Sequence, residues 1–284
     1  MNSAAENAAM APPAPDRRAP SALLQRILSA AVLAPLAIAC LWYGGTAFAV
    51  LAGVAALCMI FEWETVSFGR FGARAALAGA GIAVAVILAA LGRIEFAFVA
   101  VIATAGASLM FALLTRAAPA WALAGPLYVG LPTVALIALR AEAGNGFGWT
   151  LWLFIAIWGT DIGAYVAGRS IGGPKIAPRI SPSKTWAGLI GGMATAAGAS
   201  LLLAAYSGYL PLSLGGAALA GALVAIVGQV GDFAESAWKR HFKVKDSSRL
   251  IPGHGGVLDR VDGLVATVPL ALCIAYLAGR TGAL

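Results

Sequence analysis

Apolar positions along this chain do not alternate with polar ones; they run. Stretches rich in Ala, Leu, Val, Ile and Gly are separated by short clusters of charge, Gly or Pro. Most stretches approach the ~20 residues that a helix needs to cross a hydrocarbon core. Cutting the chain at those clusters predicts nine membrane helices, at 27–43, 46–61, 75–92, 96–115, 119–139, 147–168, 186–206, 213–231 and 263–279. The second run is short, and the fifth holds Pro126 and Pro132, which predict a kink or a break. The pattern therefore predicts an all-α, polytopic membrane protein with about nine transmembrane helices, eight to ten being compatible with it. It divides into a tail over 1–26, N-terminal membrane helices over 27–146 and a C-terminal membrane region over 147–284 that carries the polar loops.

Composition agrees. Of 284 residues, 61% are apolar and 11% charged, against about 45–50% and about 25% in soluble domains. Mean hydropathy is +0.87. Too little charge is present to cover a soluble globule. Cys40, Cys58 and Cys273 all fall in apolar runs without pairing or metal-ligand spacing, and read as small core residues. The opening "MNSAAENAAMAPPAPDRRAPSALLQR" reads as a disordered cytosolic tail rather than a signal peptide, because too much chain precedes the first apolar run. With the N-terminus in the cytosol, all but Arg93, Arg140 and Arg280 of the 19 Lys and Arg fall on the cytosolic side. That asymmetry predicts an N-in, C-out orientation. It also accounts for the net charge of +7 without a nucleic-acid partner.

The first half offers little chemistry. Glu62 and Glu64, near Arg70 and Arg74 at a span end, read as solvated interface charges. Small residues in "AALAGAGIAVAVILAALG" predict close helix packing. The second half differs. Asp161 lies inside the sixth run, roughly 10 Å from its cytosolic end. An acid at that depth marks either a functional site or a structural partner for a neighbouring basic residue. The loop "GRSIGGPKIAPRISPSKTWAG" follows, with Gly, Pro and Ser that break regular structure. Its "PSKT" looks like the end of a phosphate-binding P-loop, but the glycine spacing is wrong and Pro182 sits where the backbone must flex. What remains is Ser181, Ser183, Lys184 and Thr185 opening the next helix, which is a candidate anion-binding helix start or an ordinary positive-inside loop.

Two further groups complete the picture. Asp232, Glu235, Ser236 and Lys239 share one face if the eighth helix continues past 231. Asp259 and Asp262 lie beside Gly255 and Gly256, which would let the backbone approach a ligand closely. His254, between two glycines, would polarise a phosphate or cap a loop; His241 reads as part of the basic face. The topology brings the end of the sixth run, the end of the eighth and the start of the ninth to one side of the bilayer. Asp161, Asp232, Asp259 and Asp262, four of 12 acids in the chain, converge there. Carboxylates without His or Cys clusters suit a hard cation, Mg²⁺ foremost. Lys184, Lys239, Arg240, Lys243, Lys245 and Arg260 supply charge for oxyanions. Together they have the composition of a phosphoryl- or nucleotidyl-transfer site. Mutual ion pairing of the two sets is the plain alternative.

The stretch "SAWKRHFKVKDSSRLIPGHGGVLDRVD", 236–262, resembles the signature of the phosphatidate cytidylyltransferases, or CDP-diacylglycerol synthases. The matching residues are Ser236, Lys239, Arg240, Lys245, Asp246, His254, Gly255, Gly256, Asp259, Arg260 and Asp262. Trp238 departs from the pattern, where an aliphatic residue or Phe is usual. Upstream, "DIGAYVAGRSIGGPKIAPRISPSKTWAG" is similar to the family's second polar region through Asp161, Ser181, Lys184 and Thr185. The resemblance covers 147–284 well, while the first half agrees only in being polytopic.

The resemblance implies transfer of CMP from CTP to phosphatidate with release of pyrophosphate, Mg²⁺ as cofactor, K⁺ as a second ion, and a homodimer in the inner membrane with its site facing the cytosol. It implies Asp232 and Asp259 as metal ligands, with Asp161 and Asp262 as outer ligands or as groups that orient the basic residues. Lys184, Lys239, Arg240 and Arg260 would neutralise phosphate, and Ser181, Thr185, Lys245 and His254 would contact substrate. Because phosphatidate is already anionic, positioning and electrostatics should dominate over general-base catalysis. The competing readings are another CTP-dependent lipid transferase or kinase of similar build and a cation-coupled transporter. The spacing over 245–262 argues against the kinase, and the shortage of mid-membrane acids argues against the transporter.

Overall fold

The structure, a computed structural model, describes residues 22–281. Most of the expected 1–26 tail lies outside these residues. Each apolar run folds as a helix, because a backbone in hydrocarbon must satisfy its own N–H and C=O groups. The helices are α1 (Ala22–Tyr43), α2 (Gly45–Phe68), α3 (Ala73–Ala90), α4 (Ile94–Leu114), α5 (Pro119–Ala141), α6 (Gly146–Ser170), α7 (Trp186–Tyr206), α8 (Leu214–His241) and α9 (Leu258–Thr281). Eight of them, α2 to α9, are long and apolar enough to cross a membrane, and α1 has a shorter apolar stretch, Ile27–Tyr43. The protein is an all-α, multi-pass membrane protein, as its hydropathy predicts.

The ends of the helices depart from the sequence reading in an informative way. Three helices continue through charged positions where an apolar run stops. α2 extends from 61 to Phe68, α8 from 231 to His241, and α9 begins at Leu258 rather than 263. In each case the carboxylates in the extension have partners within the protein, so charge does not end the helix. α5 runs unbroken from Pro119 to Ala141, with Pro126 and Pro132 both buried inside it. Burial among other helices is the setting in which a membrane helix tolerates proline.

The loop after α6 is also more regular than its Gly and Pro content implies. It forms a small antiparallel hairpin, β1 (Lys175–Ala177) against β2 (Ser181–Thr185), with Lys175 opposite Thr185 and Ala177 opposite Ser181.

Two apolar cores hold the bundle. One joins α2, α3, α4 and α5 and takes in Trp238, Leu258 and Val265 from the C-terminal half. The other joins α5 to α9 around Trp149, Trp152 and Leu153. Trp238, the departure from the family pattern, stacks on Trp63 at 4.7 Å and 7° and donates Nε1–H to Ser67 Oγ at 3.0 Å. It thereby fixes α8 against α2. A Cβ on Gly231 would stand 2.3 Å from Ala266 Cβ and 3.0 Å from the Asp262 carbonyl oxygen. Only glycine lets α8 and α9 approach so closely, and this contact brings Asp232 and Asp262 onto neighbouring walls.

Candidate active site

A cavity of about 1170 Å³ opens among α1, α2, α6, α7, α8, α9 and the hairpin. It exceeds the ~300–1,000 Å³ usual for one small molecule. Its walls differ in kind. The polar wall carries Asp161 and Arg169 from α6, Lys184 from β2, Asp232 from α8, and Arg260 and Asp262 from α9. The apolar wall is built from Leu33 and Leu41 of α1, Val54 and Cys58 of α2, and Phe154 and Trp158 of α6.

Lys184 makes an ion pair with Asp232 and lies 4.8 Å from the Phe233 ring centre. Ser236, one turn beyond Asp232, donates weakly to its Oδ1 at 3.4 Å. The Asp232 side chain remains 35% exposed. Asp262 Oδ1 accepts only the neighbouring Gly263 N–H, at 2.8 Å. Among the described residues neither Asp161 nor Asp262 has an ion-pair partner within contact distance. Arg260 is held by its Nε–H to the His254 carbonyl at 2.9 Å, which leaves the rest of its exposed guanidinium open. His254 lines the cavity, and its Nδ1 lies 2.8 Å from Ser29 Oγ of α1.

A second group of carboxylates sits behind this wall. Asp259, expected from the resemblance as a metal ligand, turns away from the cavity. Its Oδ1 accepts from Lys239 Nζ at 2.6 Å, and its Oδ2 accepts from Ser247 N, Ser247 Oγ and Gly256 N at 2.9–3.0 Å. Its side chain is only 4% exposed. Lys239, expected to face phosphate, is shared between Asp259 and the buried Glu235, the latter at 2.8 Å. Arg240 and Lys245 are exposed and off the cavity wall; Ser181, half-buried, is also off it and pairs in the hairpin.

Thr185 and Ser183 do line the cavity. However, the start of α7 is partly spoken for: Thr185 Oγ1 accepts Gly188 N–H, and Trp186 N–H bonds the Pro174 carbonyl. The helix start is thus capped by the protein itself, and the Lys184 side chain is what it presents to the cavity.

Glu62 and Glu64 correct the sequence reading outright. Both are fully buried. Glu64 accepts two bonds from Arg74, at 2.7 and 3.0 Å, and Arg74 packs over the Phe68 ring. Glu62 accepts Ser248 Oγ, Val257 N, Leu258 N and Ser247 Oγ at 2.6–3.2 Å. The partners of Glu62 lie far away in sequence, so a charge at a span end looked solvated when read locally. The glycine pair also takes a different role. Gly255 adopts φ +87°, and a Cβ on Gly256 would meet Ser247 Oγ at 1.9 Å and Glu62 Oε1 at 2.6 Å. These glycines admit the protein's own carboxylates rather than a ligand.

Among the described residues no three His, Cys, Asp or Glu side chains are grouped closely enough to hold a metal ion by themselves. The acids that face the cavity, Asp161, Asp232 and Asp262, offer carboxylate oxygens, the chemistry of a hard cation. An ion bound here would take one or two carboxylates and fill its shell with water and phosphate oxygens, which is the habit of Mg²⁺. The donor set fits that ion.

Comparison with known proteins gives a consistent picture. A family profile described as "Cytidylyltransferase family" matches residues 24–278. The chain is 42% identical over 251 residues to a protein of Brucella suis named phosphatidate cytidylyltransferase, covering 88% of this chain and 92% of that one. A protein of the same name from Pseudomonas aeruginosa is 34% identical over 287 residues, covering 90% and 98%. One from Haemophilus influenzae is 39% identical over 147 residues, about half of each chain.

Proposed function

The chain belongs to the cytidylyltransferase family, and on that premise we propose that it transfers CMP from CTP to phosphatidate, forming CDP-diacylglycerol and pyrophosphate. The observation that carries the reading is the two-sided cavity. One wall has acids and cations for a triphosphate, and the other is an apolar surface suited to the acyl part of a lipid. A soluble polyanion and a membrane-anchored one need such a shared interfacial site.

In this reading the phosphatidate phosphate oxygen attacks the α-phosphorus of CTP. A new P–O bond forms, the bond to the β-phosphate breaks, and pyrophosphate departs with the electron pair. The nucleophile is already anionic, so the barrier is charge repulsion and alignment. Lys184, Arg169 and Arg260 offset phosphate charge from three sides of the polar wall. Asp232 and Asp262 would hold Mg²⁺, which supplies charge neutralisation on the triphosphate oxygens. Asp161 is the remaining wall carboxylate, available to a second ion such as K⁺. Lys184 is paired with Asp232 before substrate binds, so it is placed to move between carboxylate and phosphate. Asp259 and Lys239 act behind the wall by fixing α8 against α9.

The reading extends to a homodimer in the inner membrane with the cavity open to the cytosol. Supporting the cytosolic side is the run of basic residues at that end of the bundle, Arg169, Lys175, Arg179, Lys184, Lys239, Arg240 and Lys243 among them. The test is incubation of the purified full-length protein with labelled CTP, phosphatidate and Mg²⁺. Labelled CDP-lipid is expected from the wild type and is lost in Asp262→Asn. A folded wild type that makes none would overturn the proposal.

A further inference from the structure

Glu62 comes from the half of the chain with the least visible chemistry, yet it is fully buried. Its Oε1 accepts Ser248 Oγ at 2.6 Å and Val257 N–H at 2.7 Å. Its Oε2 accepts Leu258 N–H at 2.8 Å and Ser247 Oγ at 3.2 Å. Asp259 grips the same segment from the other side, through Ser247 and Gly256. Ser247 has one hydroxyl proton for two carboxylates, so the two are bridged by it. The segment from Ser247 to Leu258 is therefore suspended between α2 and α9. It carries Ile251, His254 and Val257 on the cavity wall and leads into the turn of α9 that bears Asp262.

We infer that Glu62 is a positioning residue for the transferase site. It sets, through the first amides of α9, where Asp262 and His254 stand on the cavity wall. The inference rests on the transferase reading above. Capping alone does not require a residue from α2. Helix starts are ordinarily capped by the preceding few residues, whose side chains suffice for the orphan N–H groups. A buried carboxylate from another helix is a costly substitute unless the relative placement of the two helices matters. Here it does. Leu51, Val54, Cys58 and Glu62 follow one another at helical spacing on α2, and the first three line the apolar wall. Glu62 thus locks the apolar stripe of α2 to the first turn of α9, and it holds the two walls of the cavity in register without touching substrate.

The test compares Glu62→Gln and Ser248→Ala with the wild type. Gln keeps the volume but turns an NH₂ group toward backbone donors; Ser248→Ala removes one of the four bonds to Glu62, together with the local bond from Leu250 N–H, and perturbs folding less. A misplacement of the metal-facing acid predicts a kcat lower by roughly ten- to a hundredfold in Glu62→Gln. The Mg²⁺ concentration for half-maximal activity should rise several-fold, and excess Mg²⁺ should recover part of the rate. KM for phosphatidate should stay within about twofold, because the lipid contacts remain. Without metal or substrate, trypsin should nick the exposed Arg249 several-fold faster while thermal unfolding remains cooperative. Ser248→Ala should show the same signs at smaller size. Folded variants with wild-type Mg²⁺ response and nicking rate would overturn the inference, as would activity that merely tracks the folded fraction. A wild type without transferase activity would instead overturn the functional proposal, and the nicking comparison would still report on the tether.

Discussion

Two groups of carboxylates stand within one end of this bundle, and they have opposite surroundings. Asp161, Asp232 and Asp262 face the cavity, with few partners of their own. Glu62, Glu235 and Asp259 lie behind it. Glu62 and Asp259 are filled with backbone amides, hydroxyls and Lys239, while among the described residues Glu235 leans on Lys239 alone. The residue types are the same and the sequence spacing overlaps: Asp232 and Glu235 share a helix, as do Asp259 and Asp262. What separates them is the fixed donors each one meets. A carboxylate saturated by backbone N–H groups is a structural anchor; one left facing a basic, open space is available to a ligand.

The sharpest way to break this comparison is to exchange loss of activity for loss of stability. Asp232→Asn should lower kcat/KM by roughly 10²–10³-fold, the scale of losing one preorganised electrostatic contact. Its unfolding midpoint in detergent should hardly move, because the side chain is already 35% exposed. Lys239→Met should do the reverse. It leaves Glu235 and Asp259 buried without their cation, a change that costs about 3–5 kcal/mol. The fraction that remains folded should keep activity within about tenfold of wild type. Thermal unfolding and single-substrate kinetics on both variants decide the matter. If Lys239→Met abolishes activity at full stability, the lysine belongs to the cavity and the division fails.

The sequence and the structure agree where a signal is local and part where it is not. Helix number and the meeting of α6, α8 and α9 follow from hydropathy and from charge asymmetry along the chain, both of which are one-dimensional. Asp161, Lys184, Asp232 and Asp262 were legible because Asp161 is an acid inside an apolar run and the other three flank span ends, and the topology brings all four to one side. The role of Glu62 was not, since its partners are Ser247, Ser248, Val257 and Leu258, across the whole bundle. One visible hint was "FEWE" itself, two carboxylates inside an otherwise apolar helix with aromatic neighbours. The orientation of Asp259 was equally hidden. Asp262 is three positions on and only about 60° away around the helix, so helical spacing does not tell the two apart; the donors Ser247 and Gly256 beside the first turn of α9 do.

The smallest expected effect tests the outer limit of the site. Arg240 and Lys245 match the family pattern, yet both are exposed and neither reaches the cavity wall. Placed there, they act on CTP only through long-range attraction. Surface charges of that kind are felt over a Debye length, about 10 Å at 0.1 M salt and about 30 Å at 0.01 M. Arg240→Ala and Lys245→Ala should therefore change kcat/KM by less than about twofold near physiological salt. At low salt the deficit should grow, because steering alters association more than the chemical step. Measuring kcat/KM for CTP against ionic strength separates the cases. A tenfold loss that does not vary with salt would mean direct contact with substrate. The segment around Lys245 would then have to close over the cavity during turnover, and the suspension of that segment from Glu62 and Asp259 would become the hinge of a moving part rather than a fixed tether.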